Sequence, residues 1–298
     1  MIKGIYLHKE IKAGLTIDVQ ESYPGRYGKN LTREGRTGKG TPLAMQKYND
    51  KLKHRELTRI LNENFKEDDY HLVLTYSKDK RPAAEQGKLN VANFTRKLKR
   101  LYKKEGVELK AVKIHSFGSK GAIHHHLVIS GGVEDKKISA LWNHSEKKPS
   151  FHPLYNTGDY SGLAYYLLQQ AKIGLNENEF ITGTAWSCTR NCKKPIPEPP
   201  KIINKVSWKE PPMPKKGYYI DLDSIDAGIN EYNGKPYLFY RMIKIPHNAT
   251  VTTPDGRLLK NDEAARFIHK ANRERLRADF DKYAPLGKII KKDERQNE

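Results

Sequence analysis

The stretch from Lys113 to Ser130, KIHSFGSKGAIHHHLVIS, predicts two short antiparallel strands joined by a tight turn. Gly118 and Gly121 mark the reversal, because glycine accepts the backbone conformations that turns demand. Apolar and polar residues alternate in the second strand, as they do where one face of a strand meets a core. We therefore expect the fold to be built around a β-hairpin at this position.

Three histidines of the hairpin are predicted to share one face. Side chains alternate with period 2 along a strand, so His124 and His126 lie together while His125 points to the apolar face, where it packs or supports its neighbours. A turn near Ser119 places His115 opposite His124. Clustered imidazoles are typical of a divalent-metal site. The alternative is a chance run of exposed or internally satisfied histidines.

The composition favours a basic protein that binds a polyanion. The chain has 298 residues, of which 37% are hydrophobic and 30% charged, and carries a net charge of +20. A positive field of this size predicts nucleic acid as a partner. The sequence shows no long apolar run and no signal peptide, so we expect a cytoplasmic protein without membrane contact. Cys188 and Cys192 are too few for a disulfide framework or a four-cysteine zinc site, and are expected to be reduced.

Hydrophobic periodicity predicts an α+β fold. The expected helices cover 42–65, 91–102 and 159–172, and the expected strands cover 70–76, 109–117, 122–130, 151–155 and 180–188. This order indicates a mainly antiparallel sheet with its helices on one face and the other face open.

Four segments are predicted: a basic N-terminal arm at 1–41, the α+β domain at 42–195, a Pro-rich linker at 196–216 and a C-terminal region of unknown role at 217–298. Arg26, Arg33 and Arg36 lie in the arm among glycines. They are expected to contact DNA phosphates, although a disordered leader would have the same composition.

Two adjacent tyrosines lie in the predicted helix SGLAYYLLQQAK at 161–172. Because neighbours in a helix point in different directions, only one of Tyr165 and Tyr166 can face a given site. An ordinary aromatic core pair is one interpretation. In a basic chain with a histidine cluster, a tyrosine is also a candidate nucleophile, provided that a cation stabilises its charge, since its ordinary pKa is about 10.

Three segments in order resemble the motifs of the HUH (His-hydrophobic-His) endonucleases, and specifically the rolling-circle replication initiator (Rep) proteins of phages and plasmids. They are YHLVLTY at 70–76, IHHHL at 123–127 and LAYYLLQQAK at 163–172. WSCTRNCKKP at 186–195 resembles a segment that follows the tyrosine motif in such proteins. The resemblance covers about 42–195.

The resemblance implies a replication enzyme that nicks origin single-stranded DNA. Tyr166, with Tyr165 as second choice, would attack the phosphate, leaving a 5′-phosphotyrosyl link and a free 3′-hydroxyl for later rejoining. His124 and His126 would hold a divalent ion, Mn or Mg. Exposed cations would hold the DNA, and these are Arg190, Lys193 and Lys194. A separate helicase is expected because no Walker A pattern is present, together with a host polymerase.

Three departures from the family pattern stand out. His125 occupies a position that is usually bulky and apolar, and Gln169 stands where a lysine is frequent, so that Lys172 is the candidate substitute. His115 falls where many Reps carry an acidic or polar third ligand. An all-imidazole site favours Mn²⁺ over Mg²⁺, which prefers oxygen ligands.

Other functions share parts of this pattern. A mobilisation relaxase or a single-tyrosine transposase would use the same chemistry. A non-catalytic nucleic-acid-binding protein with an RRM-like α+β sheet would need neither metal nor tyrosine, but the exposed aromatic pair typical of that fold is not evident. A hydrolase that uses a metal-bound water would form no covalent link to DNA.

Overall fold

The computed structural model describes residues 4–24, 43–117, 122–155, 157–172, 186–205, 211–229 and 235–280. The chain forms two compact units. The first, which we call the central unit, is Pro42–Lys194. The second, the flanking unit, combines Met1–Thr41 with Pro195–Glu298.

The strands in chain order are β1 (Gly4–Ala13), β2 (Thr16–Ser22), β3 (Tyr70–Leu74), β4 (Ala111–Phe117), β5 (Ile123–Ile129), β6 (Ser150–Pro153), β7 (Ser187–Cys188), β8 (Lys201–Lys205), β9 (Tyr218–Ile229), β10 (Pro236–Lys244), β11 (Thr250–Thr252) and β12 (Leu258–Lys260). The helices are α1 (Leu43–Asn64), α2 (Ala84–Lys104), α3 (Asp135–Ser139), α4 (Ser161–Lys172) and α5 (Asn261–Ala278), with a 3₁₀ turn at Lys78–Lys80. The mixture of helices with antiparallel sheets confirms the predicted α+β class.

The central unit is built on a five-stranded antiparallel sheet with the order β6-β3-β5-β4-β7. β5 lies in its middle, between β3 and β4. The expected hairpin is therefore present and forms the centre of this sheet. The predicted helices at 42–65 and 159–172 correspond to α1 and α4.

Helices cover both faces of this sheet, and the expectation that they lie on one face is wrong. α1 and α4 pack against Val112, Ile114 and Val128. α2 and α3 pack on the other face, against Leu72, Leu127 and Ile129. The reason is visible in β4 and β5, which carry apolar side chains on both faces, as strands covered on both sides do.

α2 begins at Ala84, earlier than the predicted helix at 91–102. Pro82 and Gly87 suggested a loop there. Gly87 is instead a point of close approach between α2 and β5, where an added Cβ would lie 2.6 Å from Ile123 Cδ1 and 3.4 Å from His125 Cε1. The glycine is used for helix-to-sheet contact rather than for a turn.

The flanking unit contains a second antiparallel sheet, with the order β8-β1-β2-β10-β9. The α5 helix packs on it through Leu276, and the side-chain amide of Asn272 bonds to both backbone groups of Ile220 at 2.9 Å. A small hairpin, β11–β12, adjoins α5.

Two predicted segments differ from the structure in this unit. The first half of the supposed arm at 1–41 is the hairpin β1–β2, whose turn contains Gly14 with φ +55°. The supposed linker at 196–216 contains β8, which pairs with β1. Strands rich in lysine and glutamate, such as GIYLHKEIKA, lack the apolar alternation that reveals a strand in a sequence. Within the described residues, no helix is long and apolar enough to span a membrane.

Candidate active site

Four imidazoles lie on the face of the central sheet that α1 and α4 cover. His124 and His126 come from β5, His71 from β3 and His152 from β6, where His71 and His152 are directly paired. The ring centroid of His71 lies 5.2 Å from that of His126 and 5.6 Å from that of His152. The centroids of His124 and His126 are 5.0 Å apart. We call these four residues the histidine cluster.

His115 does not belong to the histidine cluster. The register pairs His115 with His125 and Ser116 with His124. The predicted pairing of His115 with His124 is wrong by one residue, and a shift of one residue moves a side chain to the opposite face of a sheet. The error lies in the turn at 118–121, which is outside the described residues.

His126 is the most constrained member of the cluster. It is 2% exposed, its Nδ1 lies 3.0 Å from Nε2 of His71, and its own Nε2 is buried without a hydrogen-bond partner. Burial, followed by the neighbouring imidazoles, lowers the pKa of His126 to about 3 and that of His71 to about 4. Both rings are therefore neutral at pH 7 and keep a lone pair for a cation.

Tyr166 is the tyrosine that faces the histidine cluster. Its ring centroid lies 5.7 Å from His126 and 5.9 Å from His71, edge-on to both, while 43% of the residue stays exposed. Tyr165 is 59% exposed and contacts a different ring, that of His54 on α1, at 6.1 Å. The structure thus separates two residues that the sequence left adjacent.

The start of α4 is held by polar contacts from α1, and these contacts determine where Tyr166 lies. Asn62 donates from Nδ2 to Asp159 Oδ1 at 2.9 Å and accepts at Oδ1 from the Tyr160 backbone N–H at 2.8 Å. Ser161 donates to the other carboxylate oxygen of Asp159 at 2.7 Å. His54 Nε2 lies 2.9 Å from the Ser161 carbonyl oxygen. α4 is fixed at its first turn by these bonds and along its length by buried apolar residues, which are Ala164, Leu167, Leu168 and Ala171.

His125 points to the other face of β5, as predicted, and is fully buried. Both of its ring nitrogens have partners: Nδ1 lies 2.9 Å from His115 Nδ1, and Nε2 lies 3.0 Å from the Tyr76 hydroxyl. Asn90 donates to that hydroxyl at 3.4 Å. The imidazole replaces the usual apolar residue at no cost in unmade hydrogen bonds. We call His115, His125, Tyr76 and Asn90 the buried network.

The histidine cluster fits a metal ion by its donor chemistry. Neutral imidazoles are common transition-metal ligands, and the buried, unpartnered Nε2 of His126 is a donor atom without a use inside the protein. Across the ranges that the structure describes, no three histidine, cysteine or carboxylate side chains are arranged closely enough to enclose an ion. The cluster therefore has suitable donors, but a bound ion would require side-chain adjustment.

The remaining predicted site residues fall in three places. Arg190, Lys193 and Lys194 are exposed after β7, at the edge of the sheet away from β6, and Asn64 anchors Lys193 through bonds of 2.7 and 2.8 Å. Lys172 ends α4, and its side chain is outside what the structure describes. The three arginines predicted to contact DNA from the arm, Arg26, Arg33 and Arg36, also lie outside the described residues.

Sequence reasoning missed His71 and His152. His71 lies in YHLVLTY and His152 in SFHP, and each looks like an isolated histidine in a short strand. The available signal was the alternation in YHLVL, which puts His71 on the face opposite Leu72 and Leu74. Recognising it as a site residue also required the pairing of β3 with β5.

The family model described as Replication-associated protein (ORF2 type) matches residues 69–171, about a third of the chain. Neither the curated proteins nor the solved structures contain a significant match. The matched range runs from the start of β3 to the end of α4 and includes the whole histidine cluster and Tyr166. In this range the chain is similar to replication-associated proteins.

Proposed function

We propose that the central unit is an endonuclease that nicks and rejoins single-stranded DNA in rolling-circle replication, as the resemblance to HUH Rep proteins implies. The observation that carries the proposal is the contact of the half-exposed Tyr166 ring with His126 and His71. An exposed phenol beside neutral imidazoles is accessible to a strand of DNA. The replication-associated family match supports this assignment over mobilisation or transposition.

The reaction is a transfer of a phosphoryl group between two hydroxyls. The phenolic oxygen of Tyr166 attacks the scissile phosphorus and loses its proton, and the bond from phosphorus to the 3′ oxygen breaks. The leaving 3′ oxygen takes up a proton, and the 5′ phosphate remains on Tyr166. Attack by a 3′-hydroxyl on this phosphotyrosyl bond restores the strand, because the phosphodiester energy has been conserved.

His124 and His126 are the residues that would hold a divalent ion. When bound, the ion would withdraw charge from the phosphate oxygens and help to orient the phosphate. His115, which the sequence suggested as a third ligand, lies on the other face of the sheet. A set of imidazole donors without a carboxylate favours Mn²⁺ over Mg²⁺.

The DNA itself would be held mainly through its phosphates. The net charge of +20 supplies a long-range attraction, and the exposed side chains of Arg190, Lys193 and Lys194 supply contacts on the central unit. Such contacts position a strand without reading its sequence.

A covalent-adduct assay tests the proposal. The full chain is incubated with Mn²⁺ and labelled single-stranded oligonucleotides tiled across the DNA that encodes it and its flanks, and SDS-stable protein–DNA adducts are measured. Tyr166→Phe should abolish the adduct. Tyr165→Phe is the matched control, since it makes the same chemical change one residue away, and it should retain the adduct.

An adduct that persists in Tyr166→Phe and disappears in Tyr165→Phe would overturn the assignment of the nucleophile. Cleavage by the wild-type chain without any adduct, which also persists in both variants, would indicate hydrolysis by an activated water and would refute the proposed mechanism.

A further inference from the structure

His71 makes a contact with His126 that a metal ligand would not need. The two rings are nearly parallel, at 18°, and their facing nitrogens, Nε2 of His71 and Nδ1 of His126, are 3.0 Å apart. This distance is that of a hydrogen bond. Both residues are buried, with 8% of His71 and 2% of His126 exposed.

One proton lies between these two nitrogens, and its position decides what His126 can bind. A neutral imidazole has one N–H and one lone pair. If His71 donates, the N–H of His126 is on Nε2, which is buried and has no hydrogen-bond partner. If His126 donates from Nδ1, its Nε2 carries a lone pair instead.

The second arrangement is favoured for two reasons. A buried N–H without an acceptor incurs the full cost of its lost hydration. A lone pair at the same atom can instead accept a cation, and ligating histidines commonly donate their other ring N–H to a neighbouring acceptor.

We propose that His71 is a positioning residue that accepts the Nδ1–H of His126 and thereby holds the lone pair of His126 on Nε2, toward the histidine cluster. His71 does not itself bind the metal, because its Nε2 is occupied by His126. The role rests on the proposed function, in which His126 is a metal ligand. It extends to the first motif, YHLVLTY, a task within the metal site.

Two variants separate an acceptor from a simple filler. His71→Phe keeps a buried ring of similar size but has no acceptor. His71→Gln keeps an oxygen near the position of Nε2. Removing an outer partner of a metal ligand typically costs 10- to 100-fold in metal affinity. We expect His71→Phe to weaken Mn²⁺ binding by about this factor in calorimetry, and His71→Gln to restore most of it.

The tautomer can be measured without metal or DNA. In full-length protein labelled with ¹⁵N-histidine, the signals of His126 are identified by their loss in His126→Asn. In the metal-free wild type and in His71→Gln, Nδ1 of His126 should give the chemical shift of a protonated ring nitrogen and Nε2 that of an unprotonated one. In His71→Phe the two forms should mix or invert, while thermal unfolding shows that the protein is still folded.

Three results would overturn the inference: a proton on Nε2 of His126 in the wild type, an unchanged tautomer in His71→Phe, or a one-bond ¹¹³Cd–¹⁵N coupling to His71 in the cadmium-loaded protein, which would make it a ligand. Because the tautomer is read in metal-free protein, it is independent of the adduct assay. Loss of the adduct assignment with the expected tautomer would refute the function and leave the His71–His126 pairing intact.

Discussion

The two faces of β5 treat histidine in opposite ways. On one face His126 leaves Nε2 buried and unpartnered, beside an exposed tyrosine. On the other face His125 is equally buried, yet both of its nitrogens are partnered, by His115 and by Tyr76. The residues are neighbours in sequence and have the same chemistry. They differ in whether the fold leaves a donor atom unused.

This difference indicates a division of roles. A buried polar group with all its hydrogen bonds made contributes to one defined packing arrangement, and its loss is felt as instability. A buried lone pair without a partner costs stability and persists where a ligand uses it. We therefore expect changes on the face of the histidine cluster to affect chemistry and changes in the buried network to affect folding.

The largest expected effect is on metal binding. His126→Asn should lower Mn²⁺ affinity at least about a hundredfold, the upper end of what loss of an outer partner costs, because it removes a proposed ligand. Isothermal calorimetry measures the affinity, and the strand-nicking assay should lose activity in parallel. His125→Leu is the control from the opposite face and should bind Mn²⁺ as the wild type does. Equal losses in the two variants would contradict the division.

The buried network should show its effect in the free energy of unfolding. His125→Leu leaves the buried Tyr76 hydroxyl without the imidazole at 3.0 Å, so a loss of about 1–3 kcal/mol is expected. Urea titration followed by fluorescence measures it. Adding Tyr76→Phe to His125→Leu should cost less than the sum of the single changes, since both partners of one hydrogen bond are then apolar. Full additivity would show that the contact carries no coupling energy.

The smallest effect is a dependence of stability on pH. Burial, as the largest cause, lowers the pKa of His115 to about 4. Below its ordinary pKa of about 6.5 the unfolded chain binds a proton that the folded chain refuses, so stability falls as pH drops from about 6.5 to about 4.

One such histidine contributes up to about 1.4 kcal/mol per pH unit to this fall. His115→Leu should therefore lose stability less steeply on acidification than the wild type in urea titrations at pH 7, 6 and 5, whatever its stability at pH 7. An identical slope in the two proteins would show that His115 is protonated in the folded state.

Most of the central unit could be predicted from local patterns. The 3.6-residue period of α1 and α4 and the period-2 alternation of β5 are signals within one element, and the structure confirms them. α2 was shortened because Gly87 signals a turn locally but serves a close contact with β5 in the fold. β1 and β2 were missed because their strands carry many charged residues and are identified by their pairing with β8 and β10.

The candidate site was predicted only in part, for a similar reason. Motif likeness selected Tyr166, which the structure places at the histidine cluster, and alternation put His125 on the apolar face. His115 was assigned to the wrong face because hairpin register depends on the turn, and the parity of a strand reverses with a shift of one residue. His71 and His152 come from strands that only pairing brings beside β5.

The sequence by itself determined the elements of this protein, its strong positive charge and the presence of histidines and tyrosines in a replication-associated pattern. These properties follow from residue identity and from periodicities a few residues long. Only the tertiary structure decided which histidines meet, which tyrosine joins them and which imidazole nitrogen is left without a partner. Those outcomes depend on strand register and on the packing of α4 across the sheet, where contacts join residues that are up to about a hundred positions apart in the chain.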